Sequence, residues 1–118
     1  MSSRFKELLS QDRTIFLDGA MGTMLQAKGM PAGVSPSLYC MQRPDVLLSI
    51  HKEYIAAGAD IILSNTFSGS PFKLDPGLEV EEFNRRMAEI AREAADAAGR
   101  PVCVAGDIGP SGHFQKPL

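Results

Sequence analysis

Three short stretches place polar groups where an apolar run stops. Residues 17–23 read LDGAMGT, residues 64–69 read SNTFSG and residues 106–112 read GDIGPSG. Each follows an apolar segment of strand length: Thr14 to Leu17, Ala59 to Leu63 and Val102 to Ala105. At the first stop, Asp18 offers a carboxylate that accepts hydrogen bonds from an ammonium group. Backbone N–H groups around Gly19, Ala20, Met21 and Gly22 can meet a carboxylate with no Cβ in the way. Thr66 supplies a hydroxyl. Together these groups suit the charged head of a free amino acid. They do not suit a nucleotide phosphate, because the chain has neither G-x-G-x-x-G nor G-x-x-x-x-G-K-[ST]. A G-x-S-x-G nucleophile turn is also missing. Turn chemistry alone accounts for Asp-Gly or Asn-Thr at any one strand end. Its recurrence at three ends favours a ligand site.

The elements that position these stretches follow from periodicity. A short polar helix fits residues 3–10. Thr14–Leu17 reads as a first strand, and the Gly- and Pro-rich stretch 29–37 as irregular loop. Pro44 suits the first turn of a helix, with Asp45 beside the positive end of its dipole. Val46, Leu47, Ile50, Tyr54 and Ile55 give that helix one apolar face, and Gly58 is placed to stop it. A second strand over 59–63 leads through a loop over 64–77 to a helix over 79–98. Val80, Phe83, Met87, Ile90, Ala91 and Ala94 form that helix's stripe, and Gly99 and Pro101 follow its end. The third strand is 102–105. Strands that are apolar at consecutive positions predict burial on both faces, as in a parallel sheet covered by helices. Right-handed crossovers put both helices on one side, and all three strand tips fall on one rim, where α/β proteins bind ligands.

Composition narrows the remaining classes. The 118 residues are 44% hydrophobic and 22% charged, which is globular composition for one small domain. A formal net charge of −2 leaves no broad basic field for nucleic acid or acidic lipid. No apolar run approaches the roughly 20 residues that cross a bilayer. The first residues lack the apolar core of a secretory signal. Two cysteines, Cys40 and Cys103, make no disulfide scaffold. A cytoplasmic protein with reduced thiols is the expectation.

LDGAMGTMLQ (17–26), IHKEYIAAGADIILSNTF (50–67) and GDIGPSGHFQKPL (106–118) resemble the start of the homocysteine S-methyltransferase domain. The Met-Gly-Thr-Met form of the first motif is most similar to the cobalamin-dependent methionine synthase branch. The second motif of the family usually reads E-T-N-T-F, so Ser64 departs from the commoner pattern. The resemblance implies a (β/α)8 barrel longer than this chain. Residues 1–118 would then be its N-terminal part, a βαβαβ unit with about three strands of eight. It further implies that Asp18 binds the amino group of homocysteine. Gly19, Ala20, Met21 and the Thr66 region help hold the amino acid, and Phe67 shapes the pocket wall. In this family zinc held by three cysteines binds the homocysteine sulfur. A free thiol has a pKa near ~8.5, and zinc keeps the nucleophilic thiolate populated at neutral pH. Methylcobalamin as donor, recharged by methyltetrahydrofolate, is implied through other domains.

The zinc ligands of the family lie on later strands. Cys40 falls in a loop, and Cys103 sits inside an apolar strand as a buried structural thiol. With His51 and His113 they match no zinc spacing. The expectation is that the chain alone holds no catalytic zinc and transfers no methyl group. Its exposed strand edges should favour self-association. Two alternatives stay open at this stage: a shortened non-catalytic interaction module, and an unrelated α/β nucleotide binder.

Overall fold

Pro44 and Asp45 do start a helix, and the spacing of apolar residues decides what it covers. In the computed structural model, which describes residues 3–114, this helix (α4) spans Pro44–Ala56 and buries Val46, Leu47, Ile50 and Ile55. Gly58 closes it at φ +113°, a backbone conformation that a side chain would strain. Before it lie α1 (Ser3–Leu9), α2 (Gly22–Ala27) and α3 (Pro36–Gln42). After it come β1 (Ile61–Leu63), α5 (Val80–Asp96) and β2 (Cys103–Ala105). Glu81 and Glu82 occupy the first turn of α5, and Phe83, Met87, Ile90, Ala91, Ala94 and Ala95 form its buried stripe.

β1 and β2 pair in parallel, with Ile61 beside Cys103, Ile62 beside Val104 and Leu63 beside Ala105. The predicted first strand is shorter than expected. It reduces to a single parallel bridge between Leu17 and Ile61, flanked by bonds from Asp18 N–H to Ile61 O (3.0 Å) and from Asp60 N–H to Phe16 O (2.7 Å). The physical reason is poor cover: Phe16 is 57% and Leu17 62% exposed, so little apolar burial holds this segment extended. Burial on both strand faces is realised only in part, at Cys103. α4 and α5 pack on each other and on β1, burying Ile62 and Val102. By the period of two, Leu17, Ile61 and Leu63 share the opposite face, and Leu17 and Leu63 are exposed.

Two further helices lie outside the predicted elements. α2 follows the first tip directly. α3 begins at Pro36, inside the stretch read as irregular, with the Ser35 hydroxyl accepting a bond from Leu38 N–H at 3.4 Å. Both are needed for packing. Leu25, Met30, Tyr39 and Cys40 join Leu47, Ile50, Phe83 and Met87 in one cluster, while Ile55, Ile62, Ala91, Ala94 and Val102 form a second against the strands.

At the amino ends of the strands the chain buries an acid. The Asp60 side chain is only 2% exposed and is gripped by Arg13 through two bonds, 2.8 and 2.9 Å. Phe16 N–H at 3.0 Å and Arg100 at 3.3 Å complete its shell. Arg100 also donates to Ile55 O and Ala59 O. The Arg13 hydrogen bonds chiefly, against the opposing effect of burial, hold the Asp60 carboxyl down at about 2. A depressed carboxyl contributes stability above its unfolded value of about 3.9, lost as pH falls toward the folded value. Denaturant melts of the 118-residue chain should therefore show stability dropping between about pH 4 and pH 2. Asp60→Ala should lower stability at pH 7 by about 2 kcal/mol, since it removes a buried carboxylate that accepts charged hydrogen bonds from Arg13 and Arg100, and should flatten that acid drop.

Candidate functional site at the carboxyl ends of the strands

Parallel pairing fixes where the three polar stretches go. Leu17, Ile61 and Cys103 stand side by side, so the residues that follow each of them emerge at the same edge. Asp18 is half-buried, and its Oδ2 accepts from Leu63 N–H at 3.1 Å. Burial raises its carboxyl above the usual value; the Leu63 bond opposes this, and the charge of Asp107 adds to the rise. The first and third tips thus lie close enough to feel one another.

The second and third tips interlock. Thr66 Oγ1 donates its one proton to Asp107 O at 2.6 Å. The Ser64 hydroxyl, 2.7 Å from Thr66 Oγ1, is then the donor of that pair. Asp107 N–H is shared between Ser64 Oγ at 3.2 Å and Thr66 Oγ1 at 3.3 Å. Ser64, the departure from the commoner motif, is thereby a working member of the lock. The backbones also touch: a Cβ on Gly109 would sit 2.1 Å from the Phe67 carbonyl oxygen. The Phe67 ring itself is 60% exposed.

The structure thus brings Asp18, Thr66 and Phe67 to one edge and places Gly19, Ala20 and Met21 in the turn leading into α2. It does not enclose them in one cavity. Asp18 and Gly19 line a recess of about 500 Å3 with Leu17 and Tyr54. Thr66 lines another of about 680 Å3 with Asp107 and the flank of α5. Asn65, between the two hydroxyl residues, is the one non-glycine at positive φ (61°) among the described residues. Its amide donates at 3.5 Å to both Cys40 Sγ and Met87 Sδ, which roots the second tip in the core. Two contributors escaped the sequence reading. Tyr54 lies on the apolar face of α4, yet its hydroxyl donates to Ala20 O. Asp107 is a tip residue whose backbone is what the lock grips.

The donor set does not fit a metal. Among the described residues no three His, Cys, Asp or Glu side chains converge. Cys40 lies on α3 rather than in a loop, fully buried, with burial pushing its thiol up to about 11. Cys103 is buried in β2, as expected of a structural thiol. His113 is exposed, its ring 4.7 Å from that of Phe72. His51 is fully buried with neither ring nitrogen bonded, and burial lowers its pKa to about 4, so it is neutral. Among the described residues no helix is long and apolar enough to cross a membrane.

A parallel α/β sheet, helices on one side and polar groups gathered beyond its carboxyl ends, has the layout of α/β proteins that bind small ligands there. Sequence comparison makes the class specific: the profile of the homocysteine S-methyltransferase family matches residues 15–117, and the chain belongs to that family. Methionine synthase of Mycobacterium tuberculosis (strain ATCC 25618 / H37Rv) is 37% identical over an alignment of 116 residues, covering 88% of this chain and 10% of that protein. The oxidized form of the homocysteine methyltransferase MmuM from Escherichia coli superposes with a TM-score of 0.79 at 26% identity, over 94% of this chain and 42% of that one. Its metallated form gives 0.72 at 28% identity, over 93% and 42%. The chain therefore spans about a tenth of the one relative and under half of the other.

Two substitutions test this geometry. Gly109→Ala drives a methyl into a backbone oxygen and should cost on the order of 2 kcal/mol, with amide shifts spreading to Phe67. Gly106→Ala, whose Cβ would meet nothing within 4 Å beyond its chain neighbours, should leave both unchanged. His51→Leu should raise stability by about 1 kcal/mol at pH 7 by removing two unpaired buried nitrogens. The parent chain should lose stability as pH falls from about 6.5 toward 4, because the unfolded imidazole takes the proton first. The His51→Leu chain should lose less over that window in denaturant melts.

Proposed function

We propose that this chain forms the amino-acid-binding part of a homocysteine methyltransferase of the methionine synthase type. In the complete enzyme a methyl group passes to the homocysteine sulfur, giving methionine. The observation that carries the reading is the Asp18 carboxylate. It stands at the sheet's carboxyl edge, anchored by one oxygen on Leu63 N–H, with lone pairs left to accept from an ammonium group. The turn over Gly19, Ala20 and Met21 faces the amino acid's carboxylate. Thr66 acts by locking the second tip to the third, and Phe67 lines the wall of the pocket. Family membership supports homocysteine over a nucleotide as ligand and favours an enzyme over an interaction module.

On this reading residues 1–118 supply about three of the eight strands of a (β/α)8 barrel. The 42% share of MmuM that the chain matches supports this division. The described residues offer no metal donor set, so the reading assigns to this chain only the grip on the amino acid. Zinc activation of sulfur and delivery of the methyl group, from methylcobalamin or another donor, fall to groups outside the described residues. The 118-residue chain alone is inactive on this account.

NMR titration of the 118-residue chain with homocysteine should shift the amides of residues 18–22 and 64–67. Asp18→Asn should weaken the response about tenfold or more, the loss of one charged hydrogen bond. Shifts confined to other residues, or an unaltered response in Asp18→Asn, would refute the assignment.

A further inference from the structure

We infer that the Tyr54 hydroxyl is the positioning group that fixes the turn over residues 18–21, and with it the direction in which the Asp18 carboxylate faces its ligand. This rests on the reading of Asp18 as the acceptor of an ammonium group. The hydroxyl donates to Ala20 O, two residues beyond Asp18. The hydroxyl end of the ring lies close against the residue between them: a Cβ on Gly19 would stand 3.2 Å from both Tyr54 Cε1 and Tyr54 Oη. Gly19 is not at positive φ, so what the position demands is room for Tyr54 and not a left-handed backbone. Tyr54 itself stands on α4, whose neighbours Ile50 and Ile55 are buried, so the phenol projects from a fixed base. Helical side chains lean toward the helix amino end. That lean aims a residue near the carboxyl end of α4 back toward the strand tips. Burial, and then the Asp18 charge, raise the phenol's pKa, in keeping with a neutral donor close to that carboxylate. Tyr54 does not bond Asp18, whose Oδ2 is taken by Leu63 N–H. It holds the turn on one side of Asp18 while β1 holds the carboxylate on the other.

The test is Tyr54→Phe in the 118-residue chain, which keeps the ring and removes one bond. The amide of Leu63, protected by Asp18 Oδ2, should exchange about fivefold faster, while the amide of Cys103, bonded to Asp60 O at 2.9 Å, keeps its rate. The homocysteine dissociation constant should rise by about the same factor. Exchange at Leu63 that matches the parent, or that rises only in step with Cys103, overturns the inference, the second result marking Tyr54 as merely structural. If the parent chain shows no response to homocysteine, the substrate reading fails. The ratio of Leu63 to Cys103 exchange then still decides whether Tyr54 sets the turn.

Discussion

One lateral row of backbone contacts sets everything at the rim. Leu17 beside Ile61, and Ile61 beside Cys103, put three chain segments at one height and in one direction. Parallel pairing makes every following residue emerge at the same edge. Asp18 is one step beyond that row, Ser64 three and Asp107 four. The Leu63 bond to Asp18 and the Thr66 bond to Asp107 are consequences of this alignment. A slip of one residue would turn Ile62 away from the helices and separate the tips.

Strands this short do not hold themselves. The row stands because α4 and α5 cover one face of it, joined by two apolar clusters that run from the strands out to α2 and α3. The second cluster, rich in alanine, lets α5 lie close to the sheet. The first, with Phe83, Met87, Leu47 and Tyr39, fills the wider space beneath the tips. Asn65 reaches into the first, its amide on two sulfur atoms there and its backbone left-handed. The polar rim is therefore seated on packed side chains and is not a free loop.

Much of this was legible because it depends on local rules. The 3.6-residue period of Val46, Leu47, Ile50 and Ile55, and that of Phe83, Met87, Ile90 and Ala94, fixed the two long helices. Apolar runs ending in Asp-Gly or Ser-Asn-Thr gave the strand tips and Asp18. Helix α2 was not legible, since six residues opening on glycine give no periodicity to read. Helix α3 carried a usable signal in Ser35-Pro36, an N-cap followed by a first-turn proline, which the surrounding glycines and prolines masked. Asp60 sat inside an apolar run. That it is a buried carboxylate depends on Arg13 and Arg100, which are 47 and 40 residues away, and no pattern within the run reports such partners. Tyr54 was hidden by the rule that found its helix: an aromatic on an apolar stripe reads as core, and only the fold shows its hydroxyl reaching Ala20.

The knot of Arg13, Asp60 and Arg100 ties together the approach to the first segment, the entry to β1 and the entry to β2, all at the end away from the rim. A fastening there keeps its hold whatever the far ends carry. The connections leaving the sheet at the other side, one brief turn into α2 and one long excursion into α5, take no part in that fastening, so a change at the tips leaves it intact. Over evolutionary time such a chain can retune what it recognises without renegotiating how it folds.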